Sequence, residues 1–376
     1  MKKDYKISVV LPCRNEEKTI GLCIDKINKV LKGKDYEIIV SDSSTDKSAD
    51  IAREKGVIVV KHDKVGYGNA YLEGFKKVTG DVIVMGDSDN TYDFEELPRL
   101  LEHIKNHDLI IGRRKFIHKK AMPFLHRYIG NPFLSFILRL FFSSKVKDTH
   151  SGFRVIRRLA LEKLVLRTTG MEFASEMIIK AAINDLKIKE VPINYYKRVG
   201  HSKLQTFRDG WKHLRFMLLY SPTYLFFLPG MLMFIFGLIG LVFLSTNTLI
   251  IINFELGIHA AILSSLITIL GFQLVFLTLY AKIYLYAILK EKEPFVELIL
   301  KHLTIEKGIV VGGLVFLTGL VIGGEIVFRW LQGNLSASFK PGITLMASTI
   351  LIIGLQLILN VFYLSILGIE RTQSSK

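Results

Sequence analysis

The chain of 376 residues carries 50 Lys and Arg against 34 Asp and Glu, a formal net charge of +16, yet half of it is apolar. Mean hydropathy is +0.34, and no Asp, Glu, Lys or Arg occurs between positions 216 and 254. These values exclude a wholly soluble protein and intrinsic disorder, and the length accommodates one sizeable soluble domain plus a membrane region.

Two cysteines, Cys13 and Cys23, give no disulfide framework and fit a reducing compartment. The first apolar run, residues 7–12, is too short and too soon interrupted for a signal peptide. Residues 7–11 read as a strand and 16–31 as an amphipathic helix. Residues 37–40 are a strand, followed by a helix over 45–54 that Ser44 could cap. Strands at 57–60, 81–85 and 109–111 alternate with helices at 67–78 and 95–105. Near-continuous apolar strands separated by helices predict a mainly parallel α/β sheet covered on both faces. Ligands of such sheets bind beyond the carboxyl ends of the strands.

Polar clusters follow each strand there: Pro12-Cys13-Arg14-Asn15-Glu16, then Ser41 to Asp46, then Asp63 to Asn69 with Gly66 and Gly68, then Gly86 to Asn90, then Gly112 to Lys115. One such cluster is ordinary turn chemistry; five at one sheet edge predict a site. Asp87 and Asp89 flank Ser88 just past a hydrophobic strand. Two carboxylates so placed reach a single hard cation, Mg²⁺ or Mn²⁺, of the kind that also binds substrate phosphates. Gly66 and Gly68 suit either a close backbone approach to a ligand or a helix-entry turn.

From Arg113 to Lys147 the chain has nine Lys and Arg and no Asp or Glu, with the apolar runs 122–125 and 132–138 between them. This predicts a pair of basic amphipathic helices over about 115–145, lying on a membrane surface. A second basic stretch, residues 197–203, precedes a helix over 206–219. Glu172 and Glu176 share one face of a helix over 172–182. No His pair has metal-ligand spacing. Cys13 has no His or Asp partner and reads as packing rather than a nucleophile. Basic chains often bind nucleic acid, but here the cations flank membrane-edge segments, so the expected partner is lipid phosphate and no nucleic acid.

Four stretches are long and apolar enough to span a bilayer, about 224–244, 260–281, 309–328 and 343–367. Lysines concentrate between the second and third, and residues 245–259 carry no Lys or Arg. The positive-inside bias therefore places the soluble half and both termini in the cytoplasm of a multi-pass cell-membrane protein. No ionisable residue sits mid-span, which argues for anchoring rather than transport.

In the strings 12–16, 42–46, 66–70, 87–89 and 148–154, the chain resembles the family 2 glycosyltransferases of the GT-A type. More narrowly it resembles the dolichol-phosphate mannose synthases and other polyprenyl-phosphate glycosyltransferases. The resemblance covers about residues 1–220. It implies a GT-A nucleotide-sugar domain over 1–220, followed by an all-α membrane domain over 221–376. It implies that Pro12, Asn15, Glu16, Asp42, Gly66, Gly68, Asp87 and Ser88 surround the nucleotide sugar. Asp87 and Asp89 would serve the diphosphate and its metal. Arg114, Arg127, Ser151, Arg198 and Lys203 would meet the acceptor phosphate, with Asp87, Asp89, Arg114 and Arg127 as the catalytic set. The implied reaction is inverting transfer of one hexose, mannose or glucose, from a GDP- or UDP-hexose to a polyprenyl or dolichyl phosphate. Cys13, Ser41 and Thr91 stand where the family commonly has Tyr, Asp and, in some members, Gln, which leaves base and sugar specificity open. The alternatives are a polysaccharide synthase-like transferase, whose Gln-x-x-Arg-Trp string is missing here, and a non-catalytic membrane scaffold or transporter.

Overall fold

A computed structural model describes residues 5–119, 121–200, 206–246, 249–251, 254–287, 295–298, 304–333 and 341–374. The chain divides into two compact units, Met1–Met217 and Leu218–Lys376.

The first unit is built on a seven-stranded sheet in the order β3-β2-β1-β4-β6-β5-β7. Its strands are β1 (Ile7–Cys13), β2 (Tyr36–Asp42), β3 (Ile58–Lys61), β4 (Val82–Met85), β5 (Leu109–Ile117), β6 (Arg154–Arg157) and β7 (Ile188–Tyr195). All pairings are parallel except those of β6, which runs against both β4 and β5. The central strands β1 and β4 are buried almost throughout, whereas the edge strand β3 is half exposed. This is the pattern of a sheet covered on both faces. Helix α1 (Ile20–Val30) shows how the cover works: Ile20, Cys23, Ile24 and Ile27, at helical spacing, are all buried and join Val9, Leu11, Val40 and Val84 in one core.

Further helices are α2 (Ser48–Glu54), α3 (Tyr67–Phe75), α4 (Leu97–Leu101), α5 (Asn131–Phe142), α6 (Arg158–Leu164), α7 (Phe173–Ile183) and α8 (Thr206–Leu219). Two expectations need correction. Ser44 does not cap α2: its hydroxyl accepts from the Asn15 N–H at 2.8 Å, and Asp46 Oδ1 takes the Ser48 N–H at 3.0 Å instead. The basic segment forms one helix rather than a pair. Residues up to Ile117 still belong to β5, and α5 follows a π-helical turn, His126–Gly130, with Pro132 in its first turn. Proline is tolerated there because its missing N–H has no intrahelical partner to lose. Ser143, at φ 51°, closes the helix in the left-handed region.

Among the described residues, the second unit holds four helices long and apolar enough to cross a membrane, Thr223–Ser245, Ile258–Ala287, Ile305–Leu331 and Pro341–Leu367. Small and hydroxylated residues tie them together, as expected where lipid offers no hydrophobic drive between helices. A Cβ on Gly271 would lie 2.3 Å from the Phe234 nitrogen, so the first two spans meet backbone to backbone. Ser265 and Thr349 share a hydrogen bond of 2.7 Å, and the Tyr280 hydroxyl donates to Asn360 Oδ1 at 2.6 Å.

Candidate active site

The site begins where β1, β2 and β4 end. Cys13 and Asp42 are register partners at the last positions of β1 and β2. Beyond them, three loops are bonded to one another. Asn15, at φ 54°, accepts the Thr45 N–H on its Oδ1 at 2.8 Å, Glu16 N–H donates to Ser48 Oγ at 2.8 Å, and Ser88 Oγ donates to the Pro12 carbonyl at 2.6 Å. Pro12, Asn15, Glu16, Asp42 and Ser88 thus gather at these strand ends. Asp42 is fully buried, yet neither carboxylate oxygen has a hydrogen-bond partner. A buried carboxylate left unpaired is unusual and costly, and this one faces the strand ends where ligands of such sheets bind. Burial pushes the neighbouring Cys13 thiol up to about 11, so it is protonated at neutral pH and packs.

Asp87 and Asp89 lie just past β4. The Asp87 carboxyl is pushed up to about 7, first by burial and then by the charge of Asp89. Its Oδ1 is inaccessible and unpartnered. Asp89 Oδ1 accepts from the Thr91 N–H and hydroxyl, at 3.1 and 2.6 Å, and its Oδ2 accepts from Arg198 at 2.6 Å. The other terminal nitrogen of Arg198 donates to Glu16. Arg198, expected near the acceptor, therefore stands between the carboxylates of Glu16 and Asp89. Among the described residues no group of three His, Cys, Asp or Glu side chains gathers for a metal. Two carboxylates suffice, however, for a Mg²⁺ or Mn²⁺ ion that completes its shell with substrate phosphate oxygens and water. The orphan oxygen of Asp87 fits that use.

Gly66 and Gly68 do admit a close backbone approach, and the backbone that approaches is the protein's own. A Cβ on Gly66 would lie 2.2 Å from the Thr169 carbonyl oxygen, and one on Gly68 would lie 2.1 Å from that of Thr168. The Gly68 and Asn69 N–H groups donate to the Gly170 and Thr169 carbonyls. The 167–170 segment is fixed in turn by Glu176, whose carboxylate accepts the backbone N–H groups of Arg167 and Thr168 and pairs with Lys180 at 3.1 Å. Glu176 and Lys180 are both fully buried, so Glu176 serves the fold.

Basic residues line a cavity of 380 Å³: Arg113, Arg114, Lys115, Arg127, Arg139 and Lys147, together with Asn131, Pro132 and Asp148. Arg114 is forked onto Asp148, with Nε to Oδ2 at 2.9 Å and Nη2 to Oδ1 at 2.6 Å, and lies over the Tyr195 ring. Burial alone would lower the Arg114 pKa, but the charge and hydrogen bond of Asp148, together with Tyr92 and Tyr195, raise it. Arg127, on the π-helical turn, lies 5.2 Å from the Tyr128 ring centroid. Ser151 requires correction: it is fully buried, its hydroxyl donates to the Gly112 carbonyl, and it does not line the cavity. Lys203 lies outside the described residues.

Several residues here escaped sequence reasoning. Arg154 is 1% exposed and donates to the carbonyls of Ser151, Thr149 and Ala174, so it holds the 149–151 loop from beneath. Tyr92 takes the Gly152 N–H on its hydroxyl at 2.7 Å. Arg139 and Lys147 join the cavity although neither stands in a recognisable motif; the carboxylate-free run from 113 to 147 was the only signal.

A model of the family "Glycosyl transferase family 2" matches residues 8–165, and one of the "Glycosyltransferase family 2 C-terminal transmembrane region" matches residues 279–368. The low-salt glycan biosynthesis hexosyltransferase Agl6 of Haloferax volcanii is 40% identical over 368 residues, covering 96% of this chain and 89% of that protein. A dolichyl-phosphate hexose transferase of the same organism is 32% identical over 54% of this chain and 89% of its own length. The dolichol-phosphate mannosyltransferase of Pyrococcus furiosus is 31% identical over 53% of this chain and 59% of its own. With its strand-end loops, its Asp87-Ser88-Asp89 turn and a full-length relative at 40% identity, the chain belongs to glycosyltransferase family 2 and is a multi-pass membrane glycosyltransferase.

Proposed function

We propose that this enzyme transfers one hexose, mannose or glucose, from a GDP- or UDP-hexose to a polyprenyl or dolichyl phosphate, with inversion, at the cytoplasmic face of the membrane. The observation that carries the reading is the cavity in which six Lys and Arg side chains face a single carboxylate. A sugar-hydroxyl acceptor must lose a proton and calls for a general base. A phosphate monoester has its second pKa near ~6, is largely dianionic at neutral pH and attacks unaided. What it requires is cationic positioning, which Arg114 and Arg127 supply, Arg114 being pre-set by its fork on Asp148. The names of two relatives, a dolichyl-phosphate hexose transferase and a dolichol-phosphate mannosyltransferase, support the same acceptor class.

On the donor side, Asp42 offers its unpaired carboxylate to a nucleotide N–H or hydroxyl. Asp87 and Asp89 would hold the divalent cation, which when bound neutralises charge on the departing nucleoside diphosphate. Arg198, which holds Asp89 Oδ2, would have to release it for that cation and would then offer its own charge to the same phosphates. The transition state at the sugar carbon is oxocarbenium-like.

A second reading, transfer to a lipid-linked sugar, is favoured by one observation: the relative that matches the whole chain is named for glycan biosynthesis. A purified-enzyme assay separates the two. It pairs GDP- and UDP-hexoses with polyprenyl phosphate and with a lipid-linked saccharide, with and without Mg²⁺ or Mn²⁺. Metal-dependent transfer to the bare lipid phosphate is expected; transfer to the saccharide alone rejects the proposal.

A further inference from the structure

We infer that Arg139, which no motif assigns, is an acceptor-binding residue that holds the lipid phosphate together with Arg114 and Arg127. The inference deepens the lipid-phosphate reading above and rests on it. At 380 Å³ the cavity falls in the range of small-molecule sites, ~300–1,000 Å³, and takes a phosphate with the first atoms attached to it. Its only carboxylate, Asp148, is engaged by Arg114. Arg139 has no ion pair among the described residues, and its Nε is buried without an acceptor. Arg139 as a whole is partly exposed, but a buried N–H left without an acceptor is costly unless a ligand meets it.

The helix explains how Arg139 comes to be there. Pro132 and Arg139, seven residues apart, share one side of α5 and both line the cavity. On one flank of that side lie Leu134, Ser135 and Leu138, buried against the domain. On the other lie Phe133, Phe136 and Leu140, each about half exposed. Arg139 thus occupies the seam between an apolar face suited to lipid and the cationic cavity. A headgroup arriving across Phe136 and Leu140 meets its guanidinium, whose planar fork suits phosphate oxygens.

The test uses the full-length enzyme in detergent without donor. A short-chain prenyl monophosphate and, separately, inorganic phosphate are titrated by calorimetry into the wild type, Arg139→Gln and Lys163→Gln. The last removes an equal charge from an exposed position outside the cavity. Arg139→Gln is expected to weaken the prenyl phosphate about tenfold, or ~1.4 kcal/mol, and Lys163→Gln less than about twofold. A parallel loss with inorganic phosphate supports contact with the phosphate itself, whereas a loss confined to the prenyl compound overturns it. Equal affinity of Arg139→Gln and wild type also overturns it. Should Arg139→Gln fail to fold, Arg139→Lys decides: affinity about threefold weaker supports the inference, and unchanged affinity refutes it. Wild-type enzyme that binds the prenyl phosphate but transfers no hexose to it sinks only the function reading. Wild-type enzyme that binds neither probe sinks both.

Discussion

Arg198 Nη1 donates to Asp89 Oδ2 at 2.6 Å, and the same guanidinium also reaches Glu16. One side chain from the segment after β7 thereby neutralises two carboxylates that follow β1 and β4. Removing it by Arg198→Ala takes this cation away from Glu16 and Asp89, each less than a tenth exposed. With Arg198 itself a quarter exposed, the expected destabilisation is about 2 kcal/mol, below the ~3–5 kcal/mol of fully buried pairs. Thermal unfolding of the purified variant measures it; an unchanged melting temperature rejects the pairing.

Asp89→Asn keeps the size of the side chain and its bonds to Thr91 but removes the charge. Turnover is expected to fall by about 10²–10³, the scale of losing one preorganised electrostatic contact. Titrating Mg²⁺ or Mn²⁺ against activity checks this. A folded variant with wild-type turnover and metal response refutes the role of Asp89.

Gly68→Ala sets a methyl group 2.1 Å from the Thr168 carbonyl oxygen. Backbone cannot yield as a flexible side chain would, so a stability loss of about 2–3 kcal/mol is expected, accompanied by a rise in donor KM. Gly210→Ala, whose added carbon meets nothing within 4 Å, is the matched control. Equal melting temperatures for the two would contradict the packing described for α3.

His150 and His213 meet edge to face at 4.4 Å, His213 buried and His150 partly buried. Burial holds His213 down to about 4 and His150 well below its ordinary value. The unfolded chain binds these protons near ~6.5 while the folded protein does not. Their contribution to stability is therefore fully present above about 6.5 and is lost as pH falls from there toward 4, at up to ~1.4 kcal/mol per pH unit for each His, opposed in part by Asp87, whose raised folded pKa makes its own contribution grow as pH falls below about 7. Melting temperature measured between pH 7 and 5 should fall, and His213→Gln, which retains a partner for Ser175, should fall less. A flat profile in the wild type sinks the assignment.

The proposed orientation is open to labelling, because both native cysteines are buried and background is low. Gly257→Cys, at a position with open space around it, is expected to react with a membrane-impermeant thiol reagent in intact cells. Glu297→Cys is expected to react only after permeabilisation. The reverse pattern inverts the topology.

The strands β1, β2 and β4 and helix α1 were legible because their side chains follow simple patterns, a near-continuous apolar run in each strand and apolar residues at i, i+3, i+4 and i+7 in the helix. The strand-end position of Asp42, Asp87 and Asp89 followed from that. Strand β6 was not legible: Arg154-Val155-Ile156-Arg157 is four residues long with arginine at each end. It inserts between β4 and β5 from far along the chain, and local pattern holds no record of such a partner. The same distance hid the contact between Gly68 and Thr168. Arg139 was illegible for another reason: on an apolar helix a lone arginine looks like a solvated edge until the facing wall of the cavity is known.

The bond from Glu176 to Thr168, and from there the contact with Gly68, has a practical consequence for anyone seeking to exchange the 66–70 loop. The glycine loop cannot be transplanted from a cousin by itself, since its shape is dictated from a helix a hundred positions downstream. Recombination would have to move 66–70, 167–170 and the acid–lysine couple of α7 as one inherited block.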